Sequence, residues 1–274
     1  MSEPEPHITR LAYVSDLHIN STVALCPPKI DYDDGGSYHP SPGQRWLWEC
    51  WNDFIARFYA LPGRHIVGFG GDLGELDTKR RTVQIISPNK STIQEMVTET
   101  IAPLVDRAEK VIFIRGTQAH EGRGAWLEEA TAKDTDNAVR STKKVSSWYH
   151  FQGRIDDVRF DLAHHASMGE KPANSANKLA EKAELYYYRM CQPLPNVVIR
   201  SHNHRKADSG DNFPFMAFFT PAFSLKTEFV YRIGKELTLS DIGGLIFTID
   251  GDKVTYDWVL YPPKDNKRIW AFRV

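Results

Sequence analysis

Five short apolar runs divide this chain: residues 8–14, 65–69, 111–114, 158–163 and 197–200. Each is too short for an ordinary helix and apolar on both of its faces, the pattern of a strand covered from two sides. The segments between them are spaced differently. Residues 44–60 carry Trp48, Trp51, Phe54, Ile55 and Phe58 at helical intervals, residues 91–108 open on Ser91 as a cap, and 125–133 and 174–191 are further helix candidates. Strands alternating with helices predict an α/β layered fold. The last third is richer in strands. Residues 213–219 and 223–231 read as strands, and 245–250 with 253–260 read as a hairpin turning at Asp250-Gly251. These predict added antiparallel pairing within one domain spanning 1–274. Two long polar stretches, 20–43 and 115–140, read as loops of functional length.

The chemistry-bearing residues follow the strands. Asp16 and His18 come just past the first, Asp72 past the second, His120 past the third, His164-His165 past the fourth, and His202 and His204 past the fifth. In open α/β sheets, sites form beyond the carboxyl ends of the strands, so residues distant in sequence can converge there. In an extended segment, residues i and i+2 point the same way, so Asp16-x-His18 and His202-x-His204 would each present two ligands to one cavity. Imidazole and carboxylate together suit Mn, Fe or Zn. Asp72 is placed to bridge two such ions, which can clamp a phosphate and activate water. Taken singly, an Asp-x-His or a Gly-Asp is more often a turn or a cap than a ligand. All five clusters in this order are hard to produce by chance.

The order Asp-x-His, Gly-Asp, Gly-x-x-x-His, His-His, His-x-His resembles the signature of the calcineurin-like metallophosphoesterase family over roughly residues 8–260. The resemblance implies a four-layer αββα sandwich, an α+β fold in which two mixed sheets pack face to face between helices. It implies hydrolysis of phosphomonoesters or phosphodiesters by a hydroxide held on two divalent metal ions. It makes Asp16, His18, Asp72 and His204 ligands of one ion, and Asp72, His164 (or His165) and His202 ligands of the other. This sequence departs from the family pattern twice. Ser201 replaces a Gly in the last motif. Gly116-Thr117-Gln118-Ala119-His120 stands where Gly-Asn-His is expected, a variant resembling that of phage and prophage members. Thr117 lacks the amide oxygen that ligates the second ion in the family. Either Gln118 or His120 reaches the metals from a reshaped loop, or the second site is weakened. His120 is assigned the family histidine's catalytic role, contacting phosphate or protonating the leaving group.

Composition narrows the alternatives. Lys plus Arg (34) balances Asp plus Glu (35), so no whole-molecule field gathers nucleic acid, although a phosphodiester substrate, nucleic acid included, remains the favoured partner. No basic-then-apolar leader opens the chain, and no run approaches a membrane span, so a soluble cytoplasmic protein is expected, with no membrane partner. Cys26, Cys50 and Cys191 are odd in number and far apart, which argues against a disulfide framework or a thiolate zinc site and for buried or half-buried thiols. Trp46, Trp48 and Trp51 read as core before base-stacking platform. Tyr186-Tyr187-Tyr188 must expose at least one ring on a helix. Arg115 and Arg205 flank the clusters and are equally suited to phosphate or to surface acids. His7, His39, His65 and His150 read as ordinary. A different class of function, a metal-binding scaffold with little catalysis, is the alternative that the altered third motif favours. A lactamase-like hydrolase would need a His-x-His-x-Asp-His run that is absent from the sequence.

Overall fold

The structure is a computed structural model that describes residues 8–32, 34–77, 84–166, 174–227 and 240–262. In chain order the first elements are β1 (Thr9–Val14), the small pair β2 (Ile30–Asp31) and β3 (Ser37–Tyr38), α1 (Pro42–Ala60), β4 (Arg64–Phe69), α2 (Lys90–Val105) and β5 (Lys110–Phe113). There follow α3 (Gln118–Glu121), α4 (Trp126–Asp134), the hairpin β6 (His150–Ile155) and β7 (Val158–Ala163), and α5 (Ser175–Arg189). The chain continues through β8 (Val197–Arg200), β9 (Ala207–Asp208), β10 (Met216–Phe219), β11 (Gly243–Asp250) and β12 (Lys253–Leu260).

Two mixed five-stranded sheets result, ordered β12-β11-β1-β4-β5 and β6-β7-β8-β10-β9. Period-two alternation explains why the strands are apolar throughout. On β1, Leu11 and Tyr13 enter a core shared with the second sheet, while Ala12 and Val14 enter a core under α1, α2 and α4. On β8, Val197 and Ile199 face the first sheet, and Val198 meets Ala176, Leu179, Ala180 and Ala183 of α5. The layers are therefore helices, sheet, sheet, helix: the αββα sandwich. Each inner strand is covered on both faces, and such strands need apolar residues at every position.

Local signals set the element ends. Ser41 and Gln44 form a reciprocal capping box at α1, with Pro42 in its first turn. Trp51, Phe54 and Phe58 of that helix are fully buried, and Trp46 and Trp48 lie half-buried against the same core. The α2 cap is Asn89, whose side chain accepts the Ser91 amide; Ser91 itself is already helical. The β11–β12 hairpin turns at Gly251 (φ +61°), with Asp250 opposite Lys253.

Several expectations need correction. Sequence periodicity passes over β6, because Gln152, Gly153 and Arg154 interrupt the apolar run and Phe151 and Ile155 alone of its residues are buried. The strand expected over 213–219 is confined to Met216–Phe219. Of the strand expected over 223–231, residues 223–227 form a single isolated bridge, Ser224 to Ala24, and 228–231 lie outside the described residues. The segment 115–140 is not one long loop, since it holds α3 and α4. Cys191 is exposed at the end of α5, while Cys26 and Cys50 are buried. Among the described residues no helix is long and apolar enough to cross a membrane.

Phe218 sits at the centre of the sheet-to-sheet core, with its ring 5.4 Å from Phe247, 4.7 Å from Tyr256 and 5.9 Å from Trp258. Phe218→Ala is expected to lower stability by about 3–5 kcal/mol, measured as the shift of a urea unfolding midpoint at unchanged slope.

Candidate metal centre

The three parallel strands β1, β4 and β5 of one sheet and the parallel pair β7 and β8 of the other end on the same side of the sandwich. Backbone hydrogen bonds tie their exits together. Asp16 N–H donates to Gly71 O (2.9 Å), His18 N–H to Asp72 O (3.0 Å) and Ser201 N–H to His164 O (2.9 Å). The sheets are also linked by hydroxyls: Ser15 and Thr220 lie 2.6 Å apart, and Thr220 reaches Ser201 at 3.0 Å. Ser201, the departure from the last motif, thus has a structural partner.

Five of the seven predicted site residues, Asp16, His18, Asp72, His202 and His204, have left-handed backbone, with φ between +45° and +73°. This corrects the extended-strand rationale for the two i, i+2 pairs. The paired side chains do converge, but through tight left-handed bends after the strands end. For non-glycine residues such conformations cost on the order of 1–3 kcal/mol each and persist where surrounding contacts over-determine them, which happens most often at functional sites.

The seven side chains form overlapping groups whose ligand-type atoms lie within 4.8 Å of one another: Asp16, His18 and His204; Asp16, Asp72, His164 and His202; and His18, Asp72 and His120. A fourth group joins His164, His165 and His202. Nε2 of His18 and Nε2 of His204 are 3.2 Å apart, and both face Asp16 Oδ1, at 3.9 and 3.4 Å. Asp72 Oδ2 is 3.1 Å from His164 Nε2 and 4.0 Å from His202 Nδ1. His164 is 1% exposed and its Nδ1 is bound to Gly70 O at 2.7 Å, which turns Nε2 toward Asp72. His165 is exposed, and its ring packs edge to face against His164 and His202.

Around these lies a layer of orienting groups. Asp16 Oδ2 accepts from the Ser15 hydroxyl (2.7 Å) and the His202 amide (3.1 Å). Thr117 donates its amide to Asp72 Oδ1 (2.5 Å) and its hydroxyl to Asp72 Oδ2 (2.8 Å). Glu75 Oε2 binds Nδ1 of His120 (2.6 Å) and Nδ1 of His18 (3.2 Å), so one carboxylate fixes two rings whose centroids are 4.6 Å apart. Sequence reasoning missed Glu75; its signal is the spacing Gly71-Asp72-x-x-Glu75, which carries it one bend beyond Asp72. Two further buried acids, Glu121 and Glu128, also lacked a sequence signal. Glu128 accepts the Gly116 amide at 2.9 Å and Glu121 the Gly74 amide at 2.7 Å.

The electrostatics follow from burial opposed by these partners. Burial would raise Asp16, yet His204 beside it holds the carboxyl down to about 2. Glu75 is likewise held at about 2 against burial by His120 and His18. Burial pulls His164 down, and the Asp72 carboxylate overrides it, pushing the imidazole up to about 10. Asp72 itself lies well below the usual carboxylate range despite burial, chiefly through His164. Glu128, buried and near Asp72, is pushed up to about 8. Burial lowers His18.

A divalent cation fits this arrangement. Asp16 Oδ1 is buried and has no hydrogen-bond partner by geometry, with His204 Nε2 3.4 Å away as an ion-pair neighbour. The 3.2 Å between the His18 and His204 nitrogens is close to the roughly 3.4 Å expected of two nitrogens sharing one tetrahedral ion. His164 Nε2 and Asp72 Oδ2, 3.1 Å apart, would both face a cation once the imidazole has shed its proton, since ligating groups must be deprotonated to bind.

No family profile and no curated protein matches the chain. Solved structures do. A single mutant of Vps29 from Entamoeba histolytica matches at 10% identity and TM-score 0.44, over 92% of this chain and 99% of that one. A predicted phosphoesterase from Streptococcus pneumoniae TIGR4 matches at 9% identity and TM-score 0.39, over 93% and 94%. The phosphoesterase Yfce from E. coli matches at 13% identity and TM-score 0.43, over 90% and 98%. The two mixed sheets packed between helices are the αββα layering expected from the sequence.

Other candidates on this fold fall outside the cluster. Gln118 is exposed on α3. Arg115 pairs with Glu129 (3.1 Å) and Arg205 with Asp241 (3.2 Å), which is the surface-acid reading of both. Of the three tyrosines on α5, Tyr187 is buried and hydrogen-bonded to Asp161, while Tyr186 and Tyr188 are exposed.

Gly116 is where the third strand's exit touches Asp72. A Cβ there would come within 2.2 Å of both the Asp72 amide nitrogen and its Oδ1. Gly116→Ala is therefore expected to push Asp72 out of place without altering any ligand. Stability should fall by about 1–3 kcal/mol in urea unfolding, with a parallel drop in divalent-cation uptake measured by elemental analysis.

Proposed function

We propose that this centre hydrolyses phosphoester bonds with two divalent metal ions, Mn by preference with Fe and Zn as alternatives, and acts on phosphodiesters rather than phosphomonoesters. One observation carries the reading: the unpartnered, buried Oδ1 of Asp16, faced by two imidazole nitrogens. A lone anionic oxygen costs several kcal/mol to bury unless a cation meets it. Asp16, His18 and His204 would hold one ion, His164 and His202 the other, with Asp72 between them as bridge. When bound, the ions supply Lewis-acid charge and lower the pKa of water at their open positions.

The chain's own residues supply positioning and proton transfer. Asp72 keeps its place through the Thr117 amide and hydroxyl. His120 stands beside His18, oriented by Glu75, and serves as the group that contacts the phosphate or protonates the leaving oxygen. Diesters are preferred because the two long segments after β1 and β5 leave the same end of the sandwich as the site and can embrace a substrate larger than a phosphate monoester. A second reading, a metal-binding scaffold with little turnover, is favoured by Thr117, a neutral hydroxyl whose proton is committed to Asp72.

Turnover of bis(p-nitrophenyl) phosphate and p-nitrophenyl phosphate separates these readings. Hydrolysis should stop on treatment with EDTA and return with Mn, faster on the diester. Undiminished turnover in a sample shown to be metal-free by elemental analysis sinks the hydrolase reading, and metal binding without turnover establishes the scaffold.

Asp72→Asn is expected to lower bound metal at both positions; unchanged stoichiometry would remove Asp72 as the bridge. His120→Ala should cut turnover by about 10²–10⁴ with metal content intact, and the deficit should shrink for leaving groups that need no proton. Loss of an ion in that variant would make His120 a ligand with His18 and Asp72.

A further inference from the structure

We propose that His165 is a ligand of the second ion, giving that position three imidazoles, His164, His165 and His202, together with Asp72. The inference rests on the metal reading above and extends it to a side chain that reading leaves out. The nitrogens of His164, His165 and His202 lie within 4.8 Å of one another. The three rings pack against one another: centroids are 4.8 Å apart for His164 and His165, 4.8 Å for His165 and His202, and 5.2 Å for His164 and His202, each pair edge to face.

Two consecutive side chains reach one cavity here for a local reason. Successive residues of a strand point to opposite faces. β7, however, ends at Ala163, and residues 164–166 have no regular structure, so His164 turns inward while His165 folds over from the surface side. His165 and His202 are both exposed, so both rings have room to close the remaining distance to the roughly 3.4 Å that shared tetrahedral coordination requires.

The same cavity contains Thr117, whose hydroxyl is 3.4 Å from His164 Nε2 and 3.5 Å from His202 Nδ1. Its proton goes to Asp72 Oδ2. A neutral hydroxyl used as a donor is a poor ligand beside an imidazole. Coordination at this position therefore falls to His165, and Thr117 serves Asp72 instead. A position so rich in nitrogen suits zinc-like ions better than magnesium or calcium.

Zinc binding to metal-stripped protein, followed by calorimetry with elemental analysis of stoichiometry, tests this. Wild type should take two equivalents. His165→Ala should keep one tight site and lose about 100-fold or more in affinity at the other, since even an outer partner of a ligand is worth 10–100-fold. The melting curve of the metal-free variant should match wild type, because the side chain is exposed. Adding Thr117→Asn to His165→Ala places an amide oxygen where the hydroxyl stood and should recover most of the lost affinity. Two full-affinity equivalents in His165→Ala overturn the proposal and leave the binuclear reading standing. A loss that Thr117→Asn does not reverse overturns the idea that His165 and residue 117 exchange one coordination position. Wild type that binds no zinc overturns both this proposal and the metal reading beneath it.

Discussion

Two carboxylates, Asp16 and Asp72, are buried side by side where the strands of both sheets end, and the architecture of the site follows from that placement. Each such charge costs several kcal/mol to take out of water. Repulsion between them adds to the cost. Asp72 meets it with the amide and hydroxyl of Thr117 and with His164. Asp16 uses Ser15 and the His202 amide for one oxygen, and the other faces only imidazole nitrogens. The groups that satisfy these two side chains come from the exits of β1, β5, β7 and β8, so the anions and the topology specify one another.

The strained backbone belongs to the same account. Left-handed conformations at Asp16, His18, Asp72, His202 and His204 aim five side chains at a small volume that regular strands could not reach. The surrounding sandwich holds them there. Between the two sheets Phe160, Phe218 and Phe247 pack edge to face. At the site, hydroxyls of Ser15, Thr220 and Ser201 form a polar seam that joins one sheet to the other. Rigid layers below and bent loops above are the combination that permits pre-organised ligands.

Electrostatic layering extends outward from Asp72. Glu75 is held low because hydrogen bonds with His120 and His18 offset its desolvation. Glu121 of α3 and Glu128 of α4 accept the Gly74 and Gly116 amides, and burial together with neighbouring carboxylates raises both. Three buried glutamates are thus shifted in opposite directions, Glu75 down by hydrogen bonds with two imidazoles and the other two up by burial and like charge.

The sequence alone determined the strand-and-helix alternation, the αββα layering implied by its family resemblance, and the residue types at the strand ends, because burial on two faces forces continuous apolar runs and leaves polar clusters nowhere but the exits. Asp16, His18, Asp72, His120, His164, His202 and His204 were legible for that reason, and the structure brings all seven together. The strand β6 was not legible, since a half-exposed edge with Gly153 in it carries little apolar signal. Only the tertiary structure decided that Glu75 serves two histidines at once, that Thr117 spends its hydroxyl on Asp72, and that His165 shares a cavity with His202. Those choices depend on left-handed bends and on contacts across nearly the whole chain, and the free energy that fixes them comes from packing two sheets together, which no local run of residues records.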